Sequence, residues 1–261
     1  MKLLVFDLDG TLLEKDGNLS SETLRILKSF EEKNVRSTIA TGRSLKSASK
    51  FIEQINNKVP VILFNGARIF DAVTRHYLYS EVLSDSLLQK MGFLCQRSSV
   101  SIFFFIDEDV YAVNLTVYAA RYVYRDGLSY RLVDDIDPIK HRKITKIVLT
   151  GPSFELTSVE NSLKFQHRIP ASITRSEDDL LEILPFGVNK AEALKKLCKF
   201  LGIDLKDVVA FGNGENDLEM IKIAGIGVTF KDAPDTVKSQ AKIILHNCGY
   251  SGLQEFLEKI S

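Results

Sequence analysis

The sequence has little of several features that would place it in a particular class of protein. Only three of its 261 residues are cysteine. Cys95, Cys198 and Cys248 are odd in number and far apart, so they offer neither a disulfide framework nor the ligand set of a zinc site. Unpaired thiols fit a reducing compartment, and we expect a cytoplasmic protein.

An excess of one charge and long apolar runs are also missing. Lysine and arginine together number 34, as do aspartate and glutamate, so neither nucleic acid nor an anionic membrane is an expected partner. The longest apolar runs, such as residues 102–106, are far too short to span a bilayer. The first residues lack the basic region and the small-residue cleavage site of a signal peptide.

The most informative segment that is present lies at the start of the chain. There the apolar residues 3–6 run into Asp7 and Asp9, which are separated by one residue and followed by Gly and Thr. Side chains alternate along a strand, so both acids are expected on one side. Two adjacent carboxylates repel each other and need a compensating cation, for which Mg²⁺ is the simplest choice. The alternative is an Asp-rich turn without a function, since Asp and Gly are common turn residues.

The next segments alternate between strand and helix patterns. Apolar spacing predicts strands over 35–40 and 59–64 and helices over 20–33 and 45–55. Ser20 or Ser21 is expected to cap the first of these helices. Strand, helix, strand, helix, strand at this spacing indicates a parallel sheet with right-handed crossovers.

The middle of the chain, from about residue 81 to residue 185, shows a different pattern. Hairpin-like strands are predicted at 101–106 and 110–114, around a turn at 107–109. The other elements predicted here are strands near 144–149, 171–175 and 180–185 and helices near 84–98, 115–125 and 153–165. We expect a separate α+β module inserted into an α/β domain.

From residue 187 onwards the alternation of strands and helices returns. The predicted elements are helices at 190–201, 218–224, 233–241 and 252–260 and strands at 208–211, 226–230 and 243–245. The expected fold class is therefore α/β, with a Rossmann-like parallel-sheet core formed by residues 1–80 and 186–261 and an inserted α+β domain at 81–185.

Polar residues follow four of the predicted core strands. They are Asp7 and Asp9, then Thr41-Gly42-Arg43, then Asn65, and then the segment 213–217. The carboxyl ends of parallel strands lie along one edge of a sheet, so residues about 200 positions apart can meet there. Each turn alone has a purely structural interpretation, because Asp, Asn, Gly and Thr favour turns and caps.

In this order the segments resemble the motifs of the haloacid dehalogenase (HAD) superfamily of phosphotransferases. The resemblance covers nearly the whole chain and rests on VFDLDGT at 5–11, ATGR at 40–43, the lysine segment 188–194 and the loop 212–217. Asn65-Gly66-Ala67 and the segment 182–188 resemble the Cof-type subgroup. That subgroup carries a cap after the third core strand, which implies that residues 81–185 form a cap domain that sets substrate specificity.

The resemblance implies a role for each matching residue. Asp7 is expected to be the nucleophile that forms an aspartyl-phosphate, Asp9 the general acid and base, and Lys190 the balancing charge. The residues expected to bind phosphate or substrate are Thr41, Gly42, Arg43, Asn65 and Asn216. The expected Mg²⁺ ligands are Asp7, the Asp9 carbonyl, Asn213 and Asp217. These positive and polar groups are needed because a carboxylate repels a phosphomonoester dianion.

Two of these residues also have a simpler structural interpretation. Lys190 could be a solvated residue on a helix face, and Arg43 could be a surface ion-pair residue. The helix dipole does not favour a cation in the first turn of a helix, which favours a functional role for Lys190. For Arg43 both interpretations stay open.

The chain departs from the family pattern at two places. Asn213 stands where the family usually has Asp, and an amide brings no negative charge. Mg²⁺ affinity is therefore expected to fall unless Asp217, with Glu215, supplies that charge. The second departure is Lys231-Asp232-Ala233, where many relatives have Gly-Asn-Ala.

The function expected from these motifs is that of a Mg²⁺-dependent phosphatase for small phosphorylated metabolites, with sugar phosphates as the implied class. The alternatives are a phosphomutase, which returns the phosphoryl group to its substrate, and a non-catalytic protein that binds phosphorylated metabolites. The expected partner is a small phosphomonoester, and the expected oligomeric state is a monomer or a weak homodimer.

Overall fold

The structure, a computed structural model, describes residues 1–55, 58–85, 88, 99–166 and 170–260. The chain forms two compact units. The core unit comprises Met1–Tyr79 and Asn189–Ser261, and the inserted unit comprises Ser80–Val188. The sequence predicts these divisions one residue later, after residue 80, and three residues earlier, after residue 185. No helix in the described ranges is long and apolar enough to cross a membrane.

The strands and helices are numbered here in chain order. The strands are β1 (Leu3–Phe6), β2 (Arg36–Ile39), β3 (Val61–Leu63), β4 (Arg68–Asp71), β5 (His76–Ser80), β6 (Ser101–Ile106), β7 (Asp109–Val113), β8 (Arg131–Leu132), β9 (Ile144–Thr150), β10 (Ala171–Glu177), β11 (Leu180–Pro185), β12 (Val208–Phe211), β13 (Ile226–Phe230) and β14 (Ile243–Leu245). The helices are α1 (Ser21–Glu32), α2 (Leu45–Ile55), α3 (Val117–Asp126), α4 (Ser153–Asn161), α5 (Lys190–Leu201), α6 (Leu218–Ile223), α7 (Asp235–Lys238) and α8 (Gly249–Ile260).

The main sheet of the core unit has five strands in the order β14-β13-β12-β1-β2. All four pairings are parallel, which confirms the predicted parallel sheet. β1 and β12 are buried along their whole length, as expected for strands covered on both faces. Because β1 lies between β2 and β12, its carboxyl end is next to the ends of both, and the segments after these three strands meet.

The prediction for the third strand is partly wrong. β3 belongs to a separate three-stranded sheet with the order β3-β4-β5 and pairs antiparallel with β4. It meets the end of β2 through a parallel bridge between Ala40 and Ile62. The chain reverses after β3 because Phe64, Asn65 and Gly66 all have positive φ angles, of 51°, 51° and 104°. The sequence did not predict the strands β4 and β5.

Local sequence signals predict one helix end in the core unit correctly and give the wrong bounds for two other helices. Ser20 caps α1, because its hydroxyl accepts the Thr23 N–H at 3.1 Å. α7 is shorter than the predicted helix 233–241 at both ends, because Pro234 has extended backbone angles and the helix ends at Lys238. α8 begins three residues earlier than predicted, at Gly249, where the Glu14 carboxylate accepts the Tyr250 N–H at 2.8 Å.

The inserted unit contains a six-stranded sheet with the order β10-β11-β9-β6-β7-β8. Its pairs are antiparallel except β7 with β8, so this part of the chain has the expected hairpin character. Most of the helix predicted near 84–98 lies outside the described residues. The three consecutive phenylalanines 103–105 are buried, as a role in the core requires.

Candidate active site

The segment after β1 places the two acids of the first motif. The Asp7 N–H donates to the Phe211 carbonyl of β12 at 3.0 Å, and the chain then forms a turn over Leu8–Leu12. Gly10 in this turn has a φ angle of 70°, and a Cβ there would lie 2.4 Å from the Asn213 side-chain nitrogen. Glycine at this position therefore allows the segments after β1 and β12 to approach closely.

Lys190 connects two of the predicted site residues. It is the first residue of α5 and is fully buried, and its ammonium group donates to Asp7 Oδ1 and to Asp217 Oδ1, each at 2.6 Å. Asp7 and Asp217 are themselves 6% and 0% exposed. The interpretation of Lys190 as a solvated lysine is therefore wrong.

The charges of this cluster do not balance when both acids are ionised. Two carboxylates face one ammonium group, which leaves one negative charge in a buried site. Burial raises the pKa of Asp7 to about 7, with Asp217 and Asp9 adding to the rise and Lys190 opposing it. Burial by itself lowers the pKa of Lys190, but Asp217 and Asp7 outweigh it, so that the pKa is raised and the lysine stays protonated.

The segment after β12 closes into a short loop around Asp217. Asp217 Oδ2 accepts the backbone N–H groups of Asn213 and Gly214, each at 3.0 Å. A Cβ on Gly212 would lie 2.4 Å from Asp217 Cβ, so the acid packs directly over this glycine. Asn213 Oδ1 accepts the Thr11 hydroxyl at 3.3 Å, which brings the amide oxygen to the turn after β1.

The donors gathered here fit a hard divalent cation. In the parts of the chain that the structure describes, no group of three His, Cys, Asp or Glu side chains could hold a metal ion. The candidate ligands are instead two carboxylates, from Asp7 and Asp217, and the amide oxygen of Asn213, with the Asp9 carbonyl expected from the family resemblance. Oxygen donors around an uncompensated negative charge are the chemistry that Mg²⁺ requires.

Arg43 forms an ion pair, but its side chain is buried rather than on the surface. Its side chain is 7% exposed and forms a bidentate ion pair with Asp9, through Nε at 2.8 Å and Nη2 at 2.7 Å. The third nitrogen, Nη1, donates to the Ser47 hydroxyl at 3.1 Å, and the guanidinium carbon lies 5.4 Å from the centre of the Phe51 ring. The ion pair is therefore largely buried on the arginine side, and it fixes the carboxylate of Asp9.

The remaining predicted phosphate-binding residues lie at the ends of β2, β3 and β12. Thr41 is fully buried, its hydroxyl accepts the Arg43 N–H at 3.2 Å, and its carbonyl accepts the Asn65 N–H at 2.9 Å. A Cβ on Gly42 would lie 3.1 Å from the Asn65 amide atoms, and the Asn216 amide donates to Asn65 Oδ1 at 3.1 Å. The structure thus brings all of the predicted site residues to one edge of the core unit.

Two contributing residues were missed by sequence reasoning. Thr11 lies within the first motif, but its hydrogen bond to Asn213 depends on a partner 202 positions away. Ser47 lies in the first turn of α2, whereas Arg43 precedes that helix, so helical spacing does not indicate their contact. Both Asn213 and Asp232, which depart from the family pattern, line a cavity of about 540 Å³. Gly10 also lines this cavity.

Comparison with known proteins agrees with this geometry. Residues 4–257 match the model of the haloacid dehalogenase-like hydrolase family. HMP-PP phosphatase from Serratia proteamaculans is 28% identical over 263 residues, which cover 98% of this chain and 94% of that protein. HMP-PP phosphatase from Escherichia fergusonii is 30% identical over 245 residues, which cover 92% and 87%. A haloacid dehalogenase-like hydrolase structure from Bacteroides thetaiotaomicron has a TM-score of 0.88 and 27% identity, covering 100% of this chain and 99% of that one.

The chain therefore belongs to the haloacid dehalogenase-like hydrolases, in their Cof-type branch. Within that family it is a phosphatase, a hydrolase of phosphoric monoesters. The predicted fold class, an HAD-like α/β core with an inserted α+β unit, is confirmed.

Proposed function

We propose that this chain is a Mg²⁺-dependent phosphatase that hydrolyses small phosphorylated metabolites through an aspartyl-phosphate on Asp7. The observation that carries the proposal is the fully buried Lys190, held at 2.6 Å from both Asp7 and Asp217. A lysine in this position offsets the charge of a carboxylate that must approach a phosphate dianion.

In the first step an oxygen of the Asp7 carboxylate attacks the substrate phosphorus. The bond from phosphorus to the leaving oxygen breaks, its electron pair stays on that oxygen, and the carboxyl group of Asp9 supplies the proton. Mg²⁺, when bound, supplies positive charge that offsets the repulsion between the phosphoryl group and Asp7. Thr41 and the Gly42 N–H, beside the Asn65–Asn216 pair, bind phosphoryl oxygens.

In the second step water hydrolyses the aspartyl-phosphate. The Asp9 carboxylate takes a proton from the water, whose oxygen attacks phosphorus, and the bond from phosphorus to the Asp7 oxygen breaks. Inorganic phosphate and the free Asp7 carboxylate are the products. The bidentate contact from Arg43, at 2.7 and 2.8 Å, orients Asp9 for both proton transfers.

Two substrate classes have support. Sugar phosphates follow from the Cof-type resemblance, and HMP-PP follows from the names of the two curated relatives. We assign the choice between them to the predicted cap domain, residues 81–185, since substrate selection by a cap is what the family resemblance implies.

The test is phosphate release from a panel of sugar phosphates, other phosphomonoesters and HMP-PP, with and without Mg²⁺. We expect Mg²⁺-dependent release that Asp7→Asn abolishes. The matched control is Asp235→Asn, because the Asp235 side chain is 98% exposed and lies outside the site. It should keep wild-type activity.

Three results would contradict the proposal. Phosphate release that does not depend on Mg²⁺ would show that the reaction does not need the metal. A requirement for a bisphosphate, with return of the phosphoryl group to the substrate, would indicate a phosphomutase. Binding of phosphorylated metabolites without turnover would indicate a binding protein.

A further inference from the structure

We propose that Thr229 is a positioning residue for the Mg²⁺ site, a proposal that rests on the proposed function. Thr229 lies in β13 and is fully buried. Its hydroxyl donates to the carbonyl of Gly212 at 2.8 Å, immediately before the candidate ligand Asn213. None of the segments that carry the family resemblance includes Thr229, and the mechanism above assigns it no role.

The hydroxyl of Thr229 holds one end of a peptide group whose other end is also held. The Gly212 carbonyl and the Asn213 N–H belong to the same planar peptide group. The N–H donates to Asp217 Oδ2 at 3.0 Å, while the carbonyl accepts from Thr229. The plane of this peptide therefore has a fixed orientation. The next peptide is held as well, because the Gly214 N–H donates to Asp217 Oδ2 at 3.0 Å, and together the two planes fix the direction in which the Asn213 side chain leaves the backbone.

The same peptide also orients Asp217. Asp217 Oδ2 accepts the Asn213 N–H, and Asp217 Oδ1 accepts the Lys190 ammonium group at 2.6 Å. Rotation of the peptide would withdraw the N–H from Oδ2 and loosen the carboxylate. Thr229 thus acts on one candidate ligand through a shared peptide and on a second through the next hydrogen bond.

β13 holds the first residue of the loop from both sides. The Gly212 N–H donates to the carbonyl of Val228 at 3.2 Å, and the Gly212 carbonyl accepts from Thr229, the next residue of the strand. A buried hydroxyl costs free energy unless it is hydrogen-bonded, and a valine would have the same shape without that cost. Because Asn213 brings no charge, its affinity for a cation depends all the more on its orientation.

The test compares two buried threonines of the same sheet. Thr229→Val removes the hydroxyl and keeps the shape. Thr38→Val is the matched control. Thr38 in β2 is 1% exposed, and its hydroxyl donates to the Pro60 carbonyl at 2.7 Å, away from the loop 212–217. Thr229→Ser keeps the hydroxyl and should restore binding.

Mg²⁺ is titrated into each metal-free protein by calorimetry. We expect the Kd for Mg²⁺ to rise about 10- to 100-fold in Thr229→Val, the range seen when groups that orient metal ligands are removed. It should stay at the wild-type value in Thr38→Val and close to it in Thr229→Ser. An unchanged Kd in Thr229→Val would overturn the proposal, and so would an equal loss in Thr38→Val.

A second measurement needs no metal. Amide hydrogen exchange at Asn213, followed by NMR in the metal-free protein, should be faster in Thr229→Val and unchanged in Thr38→Val. If wild-type protein failed to bind Mg²⁺, the proposed dependence of the activity on Mg²⁺ would be wrong. The exchange rate at Asn213 would still show whether Thr229 orients the Gly212–Asn213 peptide. An unchanged rate in Thr229→Val would show that it does not.

Discussion

At the scale of single residues, the site depends on ion pairs in which at least one partner is buried. Asp7 and Asp217 share one lysine, and Asp9 is bound by an arginine that also contacts Ser47. Each pair orients a group and also sets how readily it exchanges a proton or accepts a cation.

Mg²⁺ affinity should depend on pH through Asp7. Burial raises the pKa of this carboxyl group from 3.8 to about 7 in the metal-free protein, so below pH 7 it carries a proton that the cation must displace. We expect the apparent affinity to fall as the pH falls below about 7, by up to about tenfold per pH unit, and to level off above it. Calorimetry across this range in two buffers would also detect the released proton.

Asp7→Asn is the control for that experiment. The variant has no titrating group at position 7, so its affinity should be lower and should not change with pH in the same window. A wild-type affinity that is constant between about pH 5 and pH 8, an interval that includes the raised pKa, would contradict the assignment of Asp7 as a ligand.

Arg43→Lys should impair the chemical step more than binding. Lysine cannot reproduce the bidentate contact to Asp9. We expect kcat to fall by about 10- to 100-fold, a part of the 10²–10⁴-fold that general acid–base catalysis supplies, with little change in KM. The loss should be smaller for an aryl phosphate, whose leaving group needs less protonation.

The exposed Arg36 provides the comparison for Arg43. Arg36→Lys should leave kcat unchanged for every substrate. If Arg43→Lys lowered the rate equally for alkyl and aryl phosphates, Arg43 would not act through the proton transfers of Asp9.

At the scale of elements, strand ends and one helix start place the functional groups. Asp7 follows β1, Thr41 lies two residues past β2, and Gly212 follows β12, while Lys190 begins α5. A cation at the start of a helix is opposed by the helix dipole, and here two carboxylates offset that effect. The inserted unit contains another buried ion pair, between one residue of β9 and one residue of β11.

That pair predicts a large effect on stability. Lys146 and Glu182 are 1% and 5% exposed, and their charged groups are 3.2 Å apart. Glu182→Gln leaves the lysine charge buried without its carboxylate, which should cost about 3–5 kcal/mol in the free energy of unfolding. Urea denaturation monitored by circular dichroism measures the change.

A double variant separates the pair from its packing. Lys146→Met with Glu182→Leu removes both charges and keeps similar volumes, so it should unfold at a urea concentration much closer to wild type than Glu182→Gln does. Equal destabilisation by the single and double variants would show that packing, and not the uncompensated charge, determines the loss.

At the scale of the whole molecule, the sequence predicts elements well where apolar periodicity is local. The strands at 208–211, 226–230 and 243–245 and the helices at 45–55 and 190–201 have the predicted bounds. The strands β4 and β5 escaped prediction because β5 alternates exposed and half-buried residues and the turn before β4 depends on positive φ angles. The start of α8 depends on Glu14, which lies 236 positions from its partner Tyr250.

The candidate site shows the same division. Its residues could be named from the sequence because each follows a strand end or begins a helix, and parallel strands bring those ends together. The contact partners of each side chain could not be named from the sequence. That Lys190 joins Asp7 to Asp217, and that Arg43 binds Asp9, follows from tertiary packing between segments that are far apart in the chain.

The most direct test of the account is the covalent intermediate itself. A reaction with the best substrate of the panel is quenched and treated with borohydride, which reduces an acyl phosphate of aspartate to homoserine, and the peptides are analysed by mass spectrometry. The account predicts homoserine at position 7 in the Mg²⁺-loaded protein and at no other aspartate. Steady turnover without this product, or homoserine at another position, would contradict Asp7 as the nucleophile.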